Sequence, residues 1–180
     1  MPLALYYSVM RQVDGDHKSR QMDPIEVEED RLRWIWNQAD IPVILRRGGV
    51  RERLRLRLPI SDGNREWLRS GYSLSPKWAP EWLDVRRCWE TPKSWFNDLV
   101  ERTLERYGKV YVIQPYREQE KCAPACMNAS GHECECSCMG ANHGVGSDGS
   151  WFEVSETFAT RWGERQLACR LMKKRCFAAS

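Results

Sequence analysis

The sequence predicts an α+β fold: a small mixed sheet, built from a β-hairpin, a helix and a strand, with a cysteine-rich insert towards the C-terminus. Three patterns predict it. Arg53-Leu54-Arg55-Leu56-Arg57-Leu58 alternates strictly, and the two-residue period of a strand sends its leucines to one face and its arginines to the other. Trp95, Phe96, Leu99, Val100, Thr103 and Leu104 recur at the helical period, and a strand-like run, Lys109 to Gln114, follows them. Five cysteines crowd between Cys122 and Cys138.

Met1 to Met22 shows no clear period. Asp23-Pro24 then opens a helix: Asp23 suits the cap, Pro24 the first helical position, and Glu26, Glu28 and Glu29 the positive end of the dipole. Ile25, Leu32, Ile35 and Trp36 form its apolar face. Ile41 to Leu45 is a short apolar strand, and Gly48-Gly49 provides a hairpin turn into the alternating run. Pro59 to Pro80 is rich in turns, with one helical turn over Arg65 to Ser70. Thr91 caps a helix that starts at Pro92, and Gly108 closes it in the left-handed conformation. Trp151 to Val154 and Leu167 to Leu171 read as strands with a polar stretch between them. The chain divides into an N-terminal segment (1–22), a body (23–116), a cysteine-rich insert (117–150) and C-terminal strands with a basic tail (151–180).

Of the 180 residues, 42% are hydrophobic and 29% charged, a globular balance. Nine tryptophans imply an aromatic core, with one or two on a binding surface. The net charge of +3 says little, but its distribution says more. Residues 41–57 hold six arginines against Glu52, and residues 161–175 hold six basic residues against Glu164. Local fields of this kind attract phosphates. No segment reaches the ~18 apolar residues of a membrane span. The start lacks a basic n-region and a small-residue cleavage site, so a cytoplasmic protein is expected. In a reducing compartment, clustered cysteines are metal ligands rather than disulfides.

Cys122 and Cys126 supply one arm of such a site. Two of Cys134, Cys136 and Cys138, or two plus His143, supply the other. Zinc suits thiolates in short loops because it is tetrahedral and accepts four sulfur or nitrogen ligands. An iron–sulfur cluster is the alternative. A closed, structural site is expected, since zinc hydrolases use mainly histidine and carboxylate ligands and keep one position open. His132 is expected at the surface. Cys88, Cys169 and Cys176 are expected as small core residues, and Glu153 and Glu156 as surface charges. Walker, dinucleotide-binding, nucleophile-elbow and H-E-x-x-H patterns are all lacking.

Residues Arg55 to Leu58, Asn64, Trp67-Leu68, Trp78 and Cys88-Trp89-x-x-Pro92-x-x-Trp95-Phe96-x-x-Leu99 are similar in layout to the HARP domain of DNA-annealing helicases, over residues 41–104. There, a strand precedes an irregular segment and a W-x-x-P motif that opens a helix. HARP domains carry no cysteine block, so the C-terminal half departs from that pattern; the block itself resembles one in uncharacterised bacterial and phage proteins. The resemblance implies binding to branched or single-stranded DNA, with Arg53, Arg55 and Arg57 on phosphates and an exposed tryptophan on a base.

The expectation is a non-catalytic, zinc-stabilised nucleic-acid-binding module with Arg46, Arg47, Arg53, Arg55 and Arg57 on the nucleic acid. Alternating arginines lie about 7 Å apart on a strand, close to the spacing of successive phosphates. The alternatives are a protein-interaction module, such as an inhibitor or adaptor of a phage or other mobile element, and an enzyme of unrecognised chemistry. No pattern points to a small-molecule substrate.

Overall fold

The computed structural model describes residues 23–70, 72, 79–129, 131–139 and 152–175. Trp78, His143 and Cys176 lie outside them. The fold is α+β, and its sheet is larger than expected, with seven strands among the described residues.

Helix α1 spans Pro24–Asn37, and the Asp23 carboxylate accepts from the Ile25 N–H at 2.8 Å. Leu32, Ile35 and Trp36 are buried, as their spacing requires. Ile25, expected on the same face, is 57% exposed, because the helix meets the core from Leu32 onward.

Strands β1 (Val43–Leu45) and β2 (Leu54–Arg57) form the expected antiparallel hairpin. Leu45 pairs with Arg55, so residues 46–53 form a wide loop and Gly48-Gly49 is not a tight turn. Helix α2 (Asn64–Arg69) follows, then β3 (Glu81–Leu83) and β4 (Cys88–Thr91). Neither of these strands was expected. They are short, lie at one edge, and lack an apolar run. Thr91 is not a helix cap: it ends β4, paired with Leu54. A 3-10 turn, Lys93–Trp95, leads into α3, Phe96–Tyr107. Gly108 ends α3 at φ 73°, its N–H on the Leu104 carbonyl at 2.8 Å. Strand β5 (Lys109–Pro115) and a single helical turn, α4 (Pro124–Met127), come next.

The long hairpin of β6 (Phe152–Trp162) and β7 (Arg165–Lys174) replaces the two short C-terminal strands expected. Gly163, at φ 63°, lies in its turn. The intervening stretch looked polar because β6 is an edge strand, half exposed along most of its length. Strand β7 pairs with β5 from Lys109 to Pro115, so the C-terminal strands continue the sheet of the body.

The strand order is β3-β4-β2-β1-β5-β7-β6. Strands β1 and β5 run parallel, and their other neighbours are antiparallel. Each face buries its own core. On one, Leu32, Ile35 and Trp36 of α1 pack on Val43, Leu45, Tyr111 and Leu171. On the other, Phe96, Leu99, Val100 and Leu104 of α3 pack on Ile44, Leu54, Leu56 and Val112. The leucines of the alternating run thus face α3, and its arginines share a face with α1. Among the described residues, no helix is long and apolar enough to cross a membrane.

Candidate functional site: a cysteine centre and an arginine cleft

Beyond β5 the chain leaves the sheet and folds back on itself. The Arg117 N–H bonds to the Glu135 carbonyl at 2.8 Å, and the Ser137 N–H to the Glu120 carbonyl at 2.7 Å. This pairing brings the Cys122–Cys126 arm against the segment from Cys134 to Cys138. The Sγ atoms of Cys122, Cys126, Cys136 and Cys138 all lie within 4.8 Å of one another, close enough to hold a metal ion. Cys134 joins them: its Sγ is 3.3 Å from Cys136, 3.6 Å from Cys138 and 3.8 Å from Cys126. All five cysteines singled out in the sequence therefore meet. Burial and the neighbouring thiols push the Cys134 pKa up to about 12, and the same causes raise that of Cys126. A divalent cation among these sulfurs would reverse that balance and favour thiolates.

Polar side chains buried in the sheet hold the insert. Arg46, placed among the phosphate-binding candidates, is 8% exposed and faces the insert. Its guanidinium meets Glu133 and Glu135, each at 2.6 Å. Gln114 of β5 donates to the Cys134 carbonyl, and Arg170 of β7 donates to the His132 carbonyl. His132 is not a surface residue. It is buried, its N–H donating to Asn97 Oδ1 at 2.7 Å and its Nε2 lying 3.3 Å from Glu101. Burial pulls Arg170 down to about 10, against the opposing pull of the nearby cysteines. Gln114 escaped the sequence reading and Arg170 was counted only in a phosphate-attracting basic patch, although each is a polar residue inside an apolar strand. That is their signal.

The second feature lies on the opposite face. Among the described residues α1 is the helix packed on this face, and one helix cannot cover seven strands, since a helix is about 10 Å wide and strands repeat every ~4.8 Å. Beside α1 a cavity of about 460 Å³ remains. Arg47, Arg55, Arg57, Arg86 and Arg165 line it, together with Trp36 and Trp162. The indoles meet edge to face, centroids 6.2 Å apart, and the Arg57 guanidinium lies 5.0 Å from the Trp36 ring. Glu90 meets Arg55 at 3.2 Å and Arg47 at 3.5 Å; Glu52 meets Arg47 at 3.2 Å and Arg165 at 2.9 Å. Burial, then the charge of Arg55, lowers the Arg47 pKa; burial lowers that of Arg57.

Three of the five sequence-selected arginines, Arg47, Arg55 and Arg57, thus share the cleft. Arg53 turns aside to the Ala79 carbonyl at 2.9 Å, and Arg46 serves the insert. Arg86, Arg165, Trp36 and Trp162 were not foreseen there, because their segments are distant in sequence.

No family model, curated protein or solved structure matches the chain.

Proposed function

We propose that this protein is a non-catalytic nucleic-acid-binding module whose cysteine insert is held by zinc. The observation that carries the reading is the convergence of five arginines and two tryptophans on one concave surface. Guanidiniums pair bidentately with phosphates, and indoles offer apolar surface to bases and sugars. Two carboxylates, Glu52 and Glu90, offset only part of that charge. The motif resemblance to a DNA-binding family points the same way.

For the metal, a zinc ion bound tetrahedrally at about 2.3 Å keeps its sulfurs about 3.8 Å apart. The Sγ atoms of Cys122, Cys126, Cys136 and Cys138 lie within 4.8 Å of one another, with Cys126–Cys136 at 3.7 Å and Cys136–Cys138 at 3.3 Å, which suits one such ion. A cubane iron–sulfur cluster puts each thiolate on a different iron and spreads the sulfurs wider. Zinc's role is then to clamp the two arms, so that Glu133 and Glu135 meet Arg46.

The test is affinity for single-stranded DNA, duplex DNA and RNA across a salt series. Binding should weaken steeply with salt. The triple variant Arg57→Gln, Arg86→Gln, Arg165→Gln should lower the slope by about three phosphate contacts. If the wild type binds none of these at low salt, the reading fails.

A partner-protein reading has its own support. Ile60 (88% exposed) and Trp82 (41% exposed) border a neighbouring cavity and form apolar surface suited to a protein contact. Binding to a protein that changes little with salt would favour it.

A further inference from the structure

We propose that the arginine cleft holds the phosphorylated end of a single strand: one terminal nucleotide with its terminal phosphate. The inference rests on the nucleic-acid reading and narrows it.

Shape argues first. The cleft is lined by Trp36 of α1, by Trp162 and Arg165 where β6 meets β7, and by Val85 and Arg86. Its volume of about 460 Å³ falls in the range of small-ligand sites, about 300–1,000 Å³. A duplex carries its phosphates on the outside of a wide rod and cannot enter such a space. A strand end can.

Charge argues second. An internal phosphodiester carries one negative charge. A terminal phosphate carries nearly two at neutral pH, with three acceptor oxygens. Five guanidiniums against the two carboxylates Glu52 and Glu90 leave three positive charges around one cavity, more than a single diester requires. Arg57 Nε is buried without a partner among the described residues. The lowered pKa values of Arg47 and Arg57 reflect burial and, second for Arg47, the charge of Arg55. A dianion offsets the cost of keeping these cations together.

The indoles supply the rest. Trp36 is buried beneath Arg57, while Trp162 remains half-buried at the rim with surface for a base or sugar. Inorganic phosphate alone would leave that apolar wall unused.

The experiment uses the full, zinc-loaded chain and a short single-stranded oligonucleotide bearing a 5′-phosphate, a 3′-phosphate or only hydroxyl ends. One phosphorylated form should bind about ten-fold tighter or more than the hydroxyl form, because the extra charge-assisted hydrogen bonds strengthen it. Arg86→Gln and Arg165→Gln alter exposed side chains and should abolish the preference while the variants stay folded, with Arg86→Gln keeping the wild-type melt and Arg165→Gln losing only its pair with Glu52. Arg69→Gln, on α2, should keep it. A nucleoside monophosphate should displace the phosphorylated strand better than inorganic phosphate does. Equal, salt-sensitive binding of all three strands would overturn the end-binding inference and leave the nucleic-acid reading standing. Equal competition by nucleotide and inorganic phosphate would overturn the part given to the base. Absence of binding to any strand would overturn both.

Discussion

The Arg46 guanidinium, just past the end of β1, lies 2.6 Å from the Glu135 carboxylate, although 89 residues separate the two in sequence. Its neighbour Arg47 points the other way, into the cleft. Successive residues of an extended chain face opposite sides of a sheet. One dipeptide therefore ties the cysteine insert to one face and lines the candidate binding surface on the other.

Replacing Arg46 with methionine should loosen the insert. Both carboxylates lose the guanidinium, but Glu133 and Glu135 are 47% and 25% exposed and regain water. The expected cost is about 1–3 kcal/mol, in the range for charged hydrogen bonds. A thermal melt and the rate of zinc loss to a chelator measure it. A wild-type melt and loss rate would show that the insert needs no tie to the sheet.

The purified protein should contain about one zinc per chain, as one closed four-ligand site requires. Cys122→Ser and Cys126→Ser should lower metal content and melting temperature together, because a metal held between two chain segments couples its binding to their folding. Elemental analysis decides it. Anaerobically prepared protein without metal would reject the site, and a brown protein rich in iron would replace zinc with a cluster.

Leu99→Asp should unfold the chain. Leu99 is fully buried between α3 and the sheet, where a carboxylate has neither water nor a partner. Far-ultraviolet circular dichroism and solubility report the outcome; a soluble variant with the wild-type melt would contradict the assignment of that helix face.

Glu52→Gln should change two properties with opposite consequences. A hydrogen bond from Arg165, with further help from Arg47, holds the Glu52 pKa below its usual value of 4.5. Its folded pKa is lower than its unfolded one. The stability it contributes is therefore present above about pH 4.5 and is lost as pH falls through the lowered value. The glutamine variant should lack that acid-side loss in melts taken across pH. It also frees Arg165 and Arg47, so phosphate-bearing ligands should bind it more tightly. Weaker binding would mean that Glu52 positions the arginines rather than competing for them.

Much of this protein follows from local patterns. The faces of α1 and α3 emerge from apolar spacing, and the left-handed stop at Gly108 from one glycine. The alternation of Leu54, Arg55, Leu56 and Arg57 assigns each side chain to a face, since period-two geometry permits nothing else. The cysteine centre was legible too: short loops bring thiols together at little entropic cost, so proximity in sequence becomes proximity in space.

Other features needed the tertiary structure. Strands β3, β4 and most of β6 carry weak patterns, because β3 and β6 are edge strands that bury little, and β4 is short and held on its inner side by β2, far earlier in the chain. His132 looked like a surface residue, but Asn97, Glu101 and Arg170 bury it from elsewhere in the chain.

The sequence by itself determined which residue types could do chemistry: clustered thiols, and arginines set on one strand face. Which arginines act together was decided only by the tertiary structure. A charge pattern fixes the side of a strand, whereas a cleft forms where distant elements leave the sheet uncovered. Arg86 and Arg165 joined Arg47, Arg55 and Arg57 because, among the described residues, α1 covers only part of its face, and Arg46 was diverted to the insert by two glutamates that no local pattern connects to it.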